Sequence, residues 1–175
     1  MTLSPADIDR RAAGIRLILF DVDGVLTDGR VTINHDGTET KTFAIRDGIA
    51  MVWAQRCDIR VGFLSARLSA TTPHRAAQLG VTLVYHGVTS KLATYGQILK
   101  DLQLTDADIA YMGDDVVDLA VLARVGLAVA PADAVEEVRS RVHWVTGAPG
   151  GAGAAREAIE RILKVQGRWD AIVES

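Results

Sequence analysis

The stretch LILFDVDGVLTDG (residues 17–29) sets three carboxylates, Asp21, Asp23 and Asp28, directly behind a run of apolar residues. A second acidic group, Asp114, Asp115 and Asp118, follows the apolar IAYMG (109–113), while Ser65 ends another apolar run and Lys91 lies just beyond a third. Carboxylates that converge repel one another unless a cation sits among them, and a set offering oxygen without His or Cys suits a hard ion such as Mg2+. Mg2+ takes one or two carboxylates and leaves its other positions to water and phosphate, so the pattern reads as a metal-phosphate site. There Ser65 can hydrogen-bond a phosphoryl oxygen, Lys91 can neutralise charge on it, and backbone amides after Phe20 can add donors. One aspartate can attack phosphorus in line while a second protonates the departing oxygen and later activates water; Asp21 and Asp23 could divide that work.

Plainer readings stand beside these. Aspartates at helix starts satisfy free amides and the macrodipole, which accounts for Asp115 and extends to Asp118. Lys91 opens a helix and opposes its dipole, at a cost of roughly 0.3 kcal/mol or more. Alone it reads as a surface lysine, but in the company of the acidic group an anion nearby explains it better. Asp28 reads as a turn residue at the base of a hairpin. His86 reads as structural or as facing the substrate, Trp53, Trp144 and Trp169 as core or interface packing, and Cys57 as a thiol without a partner.

These residues need a scaffold that brings them to one edge. Short apolar runs recur at residues 15–20, 59–65, 81–87, 109–115, 126–132 and 143–146, and read as strands buried on both faces. Segments 73–79, 90–102, 116–123 and 153–165 between or after them carry helical spacing, so strand and helix alternate as in a Rossmann-like parallel α/β sheet flanked by helices. In such sheets ligands bind outside the carboxyl ends of the strands, where the chemistry-bearing residues fall. Residues 29–48 break the alternation: around Asp36-Gly37 they read as a β-hairpin projecting from that edge, either a functional flap or an ordinary surface hairpin.

The chain has 175 residues, 49% of them hydrophobic, enough for a full core in one domain over residues 1–175, with the hairpin at about 29–43 and a C-terminal tail at about 147–175. A net charge of −3 with mixed signs gives no footprint for nucleic acid, and a small molecule is the expected partner. One cysteine excludes an internal disulfide and suits a reducing compartment. The first 16 residues carry no apolar leader and no stretch approaches the roughly 18–20 apolar residues of a membrane span, so the chain reads as cytoplasmic.

The motifs resemble those of the haloacid dehalogenase superfamily. Asp21-Val22-Asp23-Gly24-Val25 is similar to its first motif, Ser65 to its second, Lys91 to its third, and Gly113-Asp114-Asp115-Val116-Val117-Asp118 to its fourth. The resemblance implies that Asp21 is the nucleophile, Asp23 the general acid/base and Lys91 a catalytic cation, with Mg2+ held by Asp21, the Asp23 carbonyl and Asp114. Asp23 and Ser65 lie 42 positions apart, and Ser65 and Lys91 only 26, which leaves no room for a cap domain. A capless member acts on a macromolecule or closes its site with a neighbouring subunit, and the hairpin is placed for the latter.

FAIRDG, YHGVTSK, YMGDDVVDLAVL, VGLAVAPADA and the tail GGAGAAREAIERIL further resemble the subfamily that dephosphorylates 3-deoxy-D-manno-octulosonate 8-phosphate. That resemblance implies a Mg2+-dependent homotetramer serving lipopolysaccharide synthesis, with Ser65, Ala66 and Arg67 binding substrate and Arg67 pairing with the sugar-acid carboxylate by its planar fork. Related nononate 9-phosphate phosphatases carry Glu at the position of Arg67. Two departures stand out: Ala66 replaces the usual Gly, and Ala152 replaces the arginine of a G-G-R-G tail.

Other readings are a general sugar-phosphate phosphatase, a phospho-receiver, whose acceptor Asp belongs where this chain has Ser65 or His86, and an inactive oligomerisation module, against which Asp21, Asp23, Lys91 and Asp114 argue together. The glycine-rich tail lacks both the final small residue and the following unit of a dinucleotide loop.

Overall fold

A computed structural model describes residues 3–174. Helix α1 (Pro5–Ala12) leads into β1 (Leu17–Phe20), followed by the short strands β2 (Thr32–Ile33) and β3 (Glu39–Thr40). Then come α2 (Ile45–Arg56), β4 (Arg60–Ser65), α3 (Thr71–Gln78), β5 (Leu83–His86), α4 (Lys91–Leu102) and β6 (Ile109–Met112). The remainder is α5 (Leu119–Leu122), β7 (Leu127–Ala130), α6 (Glu136–Arg139), β8 (Trp144–Val145), α7 (Ala154–Val165) and α8 (Trp169–Val173). No helix among the described residues is long and apolar enough to cross a membrane.

Six strands form one parallel sheet in the order β5-β4-β1-β6-β7-β8. From β1 the chain steps outward through β4 to β5, then returns to the other side of β1 at β6. That reversal opens a crevice between the carboxyl ends of β1 and β6, the place where doubly wound sheets bind ligands. Each apolar run predicts one of these strands. All four residues of β1 are buried: Ile18 and Phe20 face a core built with α1, α2 and α7, while Leu17 and Leu19 face a second core with α4, α5 and α6. Burial on both faces is why these strands read as continuous apolar runs. The edge strand β5 is only half-buried, short of the full burial expected of it.

The projecting hairpin is present, with β2 and β3 antiparallel around Gly37 at φ +81°. The wider stretch 29–48 runs past it, because Ile45–Gly48 already belong to α2. That helix inverts the usual pattern in its first turn: Ile45 is exposed, while Asp47 is buried and accepts hydrogen bonds from the amides of Gly153 (3.2 Å) and Arg156 (2.8 Å) at the start of α7. The helix expected over 116–123 begins as a 3-10 turn, Val116–Asp118, before α5. Between Asp23 and Ser65 lie only the hairpin and α2, and between Ser65 and Lys91 only α3 and β5, so the described residues contain no insertion of domain size.

Candidate active site

Asp21, Asp23, Ser65, Ala66, Arg67, Lys91 and Asp114, drawn from four separate parts of the chain, line one cleft of about 260 Å³ at the carboxyl edge of the sheet. Asp21 directly follows β1, and its own amide donates to the Met112 carbonyl at 3.0 Å, which ties it to the end of β6. Its Oδ1 accepts from the Val22 amide at 2.7 Å, and its Oδ2 lies 2.8 Å from Lys91 Nζ. Two of the loop amides expected to face an anion are thus committed internally, Val22 to Asp21 and Gly24 to the Thr27 hydroxyl. Asp28 accepts from the Arg30 amide at 3.0 Å, the turn role expected of it.

Lys91 is the first residue of α4, capped by Ser90, yet its side chain runs inward and is almost wholly buried. Nζ contacts Asp21 on one side and Asp118 Oδ1, at 2.6 Å, on the other. Burial works against its charge, but the two carboxylates outweigh that and hold its pKa above the ordinary lysine value. A cation at a helix start, unfavourable to the dipole, is here paid for by two buried anions.

Asp118 is more than a helix cap. Its Oδ1 also accepts from the Tyr111 hydroxyl, and its Oδ2 accepts from the amides of Asp114 (3.0 Å) and Asp115 (3.3 Å). It therefore holds both Lys91 and the loop that carries Asp114. Tyr111, buried on β6, completes this network through a 3.3 Å contact with Lys91 Nζ, and its pKa is pushed well up by burial and by the Asp118 charge. Sequence alone did not mark Tyr111, since an aromatic residue inside an apolar strand looks like core.

Asp114 is the member of the group without compensation. Its Oδ1 is buried and has no hydrogen-bond partner, and burial, followed by the charges of Asp21, Asp118 and Asp115, pushes its pKa up to about 8. Asp21 rises to about 6, chiefly by burial and then by the charge of Asp118, with Lys91 opposing. Carboxylate oxygens of Asp21, Asp114 and Asp118 lie within 4.8 Å of one another. Asp118 is bonded by Lys91, Tyr111 and two amides, and Asp21 by Lys91 and the Val22 amide, so the unpartnered Asp114 Oδ1 is the oxygen of this group that most lacks a positive partner. Gly24 makes this closeness possible: it has φ +86°, and a Cβ there would lie 2.0 Å from Asp114 Oδ2.

The hairpin supplies two residues that sequence reasoning missed. Lys41, one residue beyond β3, pairs with both carboxylate oxygens of Asp23, and Glu39 pairs with Arg67 at 2.7 Å and also accepts from the Ser69 hydroxyl. The signal available was the period of two, which puts Glu39 and Lys41 on one side of the strand. On the opposite flank, the Gly151 amide donates to the Val25 carbonyl at 2.9 Å, so the glycine-rich tail braces the loop after β1. Ala152 does not line the cleft but a separate surface hollow with Ile45, Ile49 and Arg156. His86 Nδ1 faces the Ser69 amide at 3.5 Å, and Trp53 meets Trp169 edge-on, 5.6 Å between rings.

A doubly wound sheet whose first strand ends in a carboxylate, facing a buried lysine and a second uncompensated carboxylate, defines a hydrolase equipped for phosphoryl transfer. The sequence model of haloacid dehalogenase-like hydrolases matches residues 68–157, and the chain belongs to that family. Within it, the chain is 39% identical to 3-deoxy-D-manno-octulosonate 8-phosphate phosphatase KdsC of Escherichia coli K12, over 94% of this chain and 88% of that protein. The crystal structure of the phosphatase of that name from Yersinia pestis superposes with a TM-score of 0.92 at 40% identity, over 94% of this chain and 89% of the other. The Moraxella catarrhalis phosphatase, solved with magnesium, phosphate and the sugar acid, gives a TM-score of 0.95 at 33% identity, over 98% of both chains.

Proposed function

We propose that this protein hydrolyses 3-deoxy-D-manno-octulosonate 8-phosphate to the free sugar acid and phosphate, through an aspartyl-phosphate. The observation that carries the reaction class is the meeting of Asp21, Lys91 and the unpartnered Asp114 in one cleft. The substrate is supported by the relatives of that activity, which match nearly the whole chain.

Asp21, oriented by the Val22 amide, attacks phosphorus in line, and the bond from phosphorus to the sugar oxygen breaks. Asp23 gives that oxygen its proton, then takes one from the water that attacks the aspartyl-phosphate and restores Asp21. Lys91 offsets negative charge on the transferring group and the Ser65 hydroxyl donates to it, while Ala66 closes the pocket and Arg67 receives the sugar carboxylate. Asp21, Asp114 and the Asp23 carbonyl would hold Mg2+, whose charge draws electron density from the phosphoryl oxygens. The reading extends to a single catalytic domain that works as a homotetramer in the cytoplasm on a lipopolysaccharide precursor.

The test is phosphate release from the octulosonate 8-phosphate, a nononate 9-phosphate and simple sugar phosphates, with Mg2+ and with EDTA. Octulosonate is expected to give the highest kcat/KM and EDTA to abolish turnover; a faster nononate reaction would overturn the substrate. Asp21→Asn is expected to lose activity on the order of 10⁴-fold or more, and full activity in that variant would overturn the reaction class.

A further inference from the structure

Lys41 leaves the hairpin as an ordinary surface residue would, yet its side chain has 0% exposure. Its Nζ lies 2.6 Å from Oδ1 and 2.9 Å from Oδ2 of Asp23. Ordering a lysine side chain costs roughly 2 kcal/mol of rotamer entropy, so burial of this one needs a compensating partner, and Asp23 is that partner. The two residues are not equivalent toward the cleft. Asp23 lines it with a side chain 21% exposed, whereas Lys41 is not part of the lining and sits behind Asp23. The order from the open cleft is therefore Asp23 and then Lys41, a reacting group backed by a third group that orients it.

We propose that Lys41 is a positioning residue for proton transfer: by bridging both oxygens of Asp23 it holds that carboxylate toward the leaving group, and so ties turnover to the seating of the hairpin. The proposal rests on the reading of Asp23 as the proton-transferring group. Nζ hydrogen-bonds Oδ2 and lies within ion-pair distance of Oδ1, so it stays beside the unprotonated oxygen whichever one carries the proton. The neighbouring pair, Glu39 with Arg67, pins the same strand to the other wall of the cleft, and β3 thus reaches residues on both sides of it.

Lys41→Met is expected to lower kcat on the sugar phosphate by roughly 30- to 100-fold, a share of the 10²–10⁴ that a positioned acid/base supplies, with KM unchanged within about twofold. With p-nitrophenyl phosphate, whose leaving group needs no proton, the first-turnover burst of nitrophenolate is expected to fall by less than about threefold, which also shows an intact Asp21 site. In an Asp23→Asn background, Lys41→Met is expected to cost nothing further, because the residue acts through Asp23. Equal loss on both substrates, a raised KM with unchanged kcat, or a full additional loss in the double variant would each overturn the proposal. If Asp23→Asn alone keeps full activity, it is the reading of Asp23 that fails. Should Lys41→Met not fold, Lys41→Gln takes its place with the same expectations and the same contrary outcomes.

Discussion

The floor of the cleft and the hairpin beside it hold charge in opposite ways. On the floor, Lys91, Asp21, Asp118 and Tyr111 are buried, sit at strand ends or helix starts of the central sheet, and satisfy one another. On the hairpin, two strands of two residues each carry an exposed Ile33 and reach the site through Glu39 and Lys41. The floor is preformed by the fold and would stand without the hairpin. The hairpin has little core of its own, so its seating depends on the site residues it pairs with. Substitutions on the floor should therefore damage stability and chemistry together, and those on the hairpin chemistry alone.

The largest effect tests the floor. Lys91→Met leaves Asp21 and Asp118 buried without their cation, and removing one partner of such a group costs about 3–5 kcal/mol. A denaturant series is expected to show that loss, and phosphate release to fall by at least roughly 10³-fold. A variant as stable as the parent would show that the floor is not held by these pairs.

Gly24→Ala separates the metal ligands from the rest of the floor. The new methyl would meet Asp114 at a backbone angle that favours glycine, and Asp114 must give way. Mg2+ affinity in titration calorimetry is expected to fall by about 10- to 100-fold, the scale of disturbing a ligand's support. Unchanged affinity would remove Asp114 from the ligand set.

The same carboxylates fix a pH dependence in metal-free protein. Asp114 at about 8 and Asp21 at about 6 retain protons in the folded chain that the unfolded chain releases near pH 4. In that window the folded state binds more protons, so stability falls as pH rises from about 4 toward 8. Thermal melts in EDTA are expected to decline across this range and Mg2+ to flatten the decline, since the ion binds the folded form alone. Melts in EDTA that rise over the range would contradict the burial that raises both groups.

The contrast between floor and hairpin also marks what could be read from sequence. The six strands announced themselves because burial on both faces writes an unbroken apolar run, as in residues 17–20 and 109–112. The cleft residues sit next to those runs, so placing the strands places Asp21, Ser65 and Asp114 as well. Helix α2 was hidden because its first turn puts Ile45 outward and Asp47 inward, a choice made by the distant α7. Helix α1 carries a Ser4-Pro5 start, with Ser4 capping the Asp7 amide, a legible signal in a stretch read only for its lack of a leader. Tyr111 and Lys41 were out of reach for another reason. Their partners lie 7 to 20 positions away, and nothing local distinguishes a core tyrosine or a hairpin lysine from one that faces a carboxylate.

The smallest expected effect sharpens the hairpin side. Glu39 holds Arg67, whose side chain is 41% exposed, and the Ser69 hydroxyl, then the charges of Lys41 and Arg67, hold the Glu39 carboxyl below the usual range. If Arg67 receives the sugar carboxylate, Glu39 competes for it, and substrate must displace a like charge. Glu39→Gln keeps the size and removes the competitor. An exposed pair is worth about 0.2–1 kcal/mol, so KM for the sugar acid phosphate is expected to fall by up to about fivefold, with stability unchanged within about 0.5 kcal/mol. Phosphates lacking a carboxylate should show no change, which separates competition at Arg67 from a general loosening of the hairpin. A rise in KM would mean that Glu39 aims the guanidinium instead of occupying it, and would make both hairpin charges, Glu39 and Lys41, orienting groups for residues across the cleft.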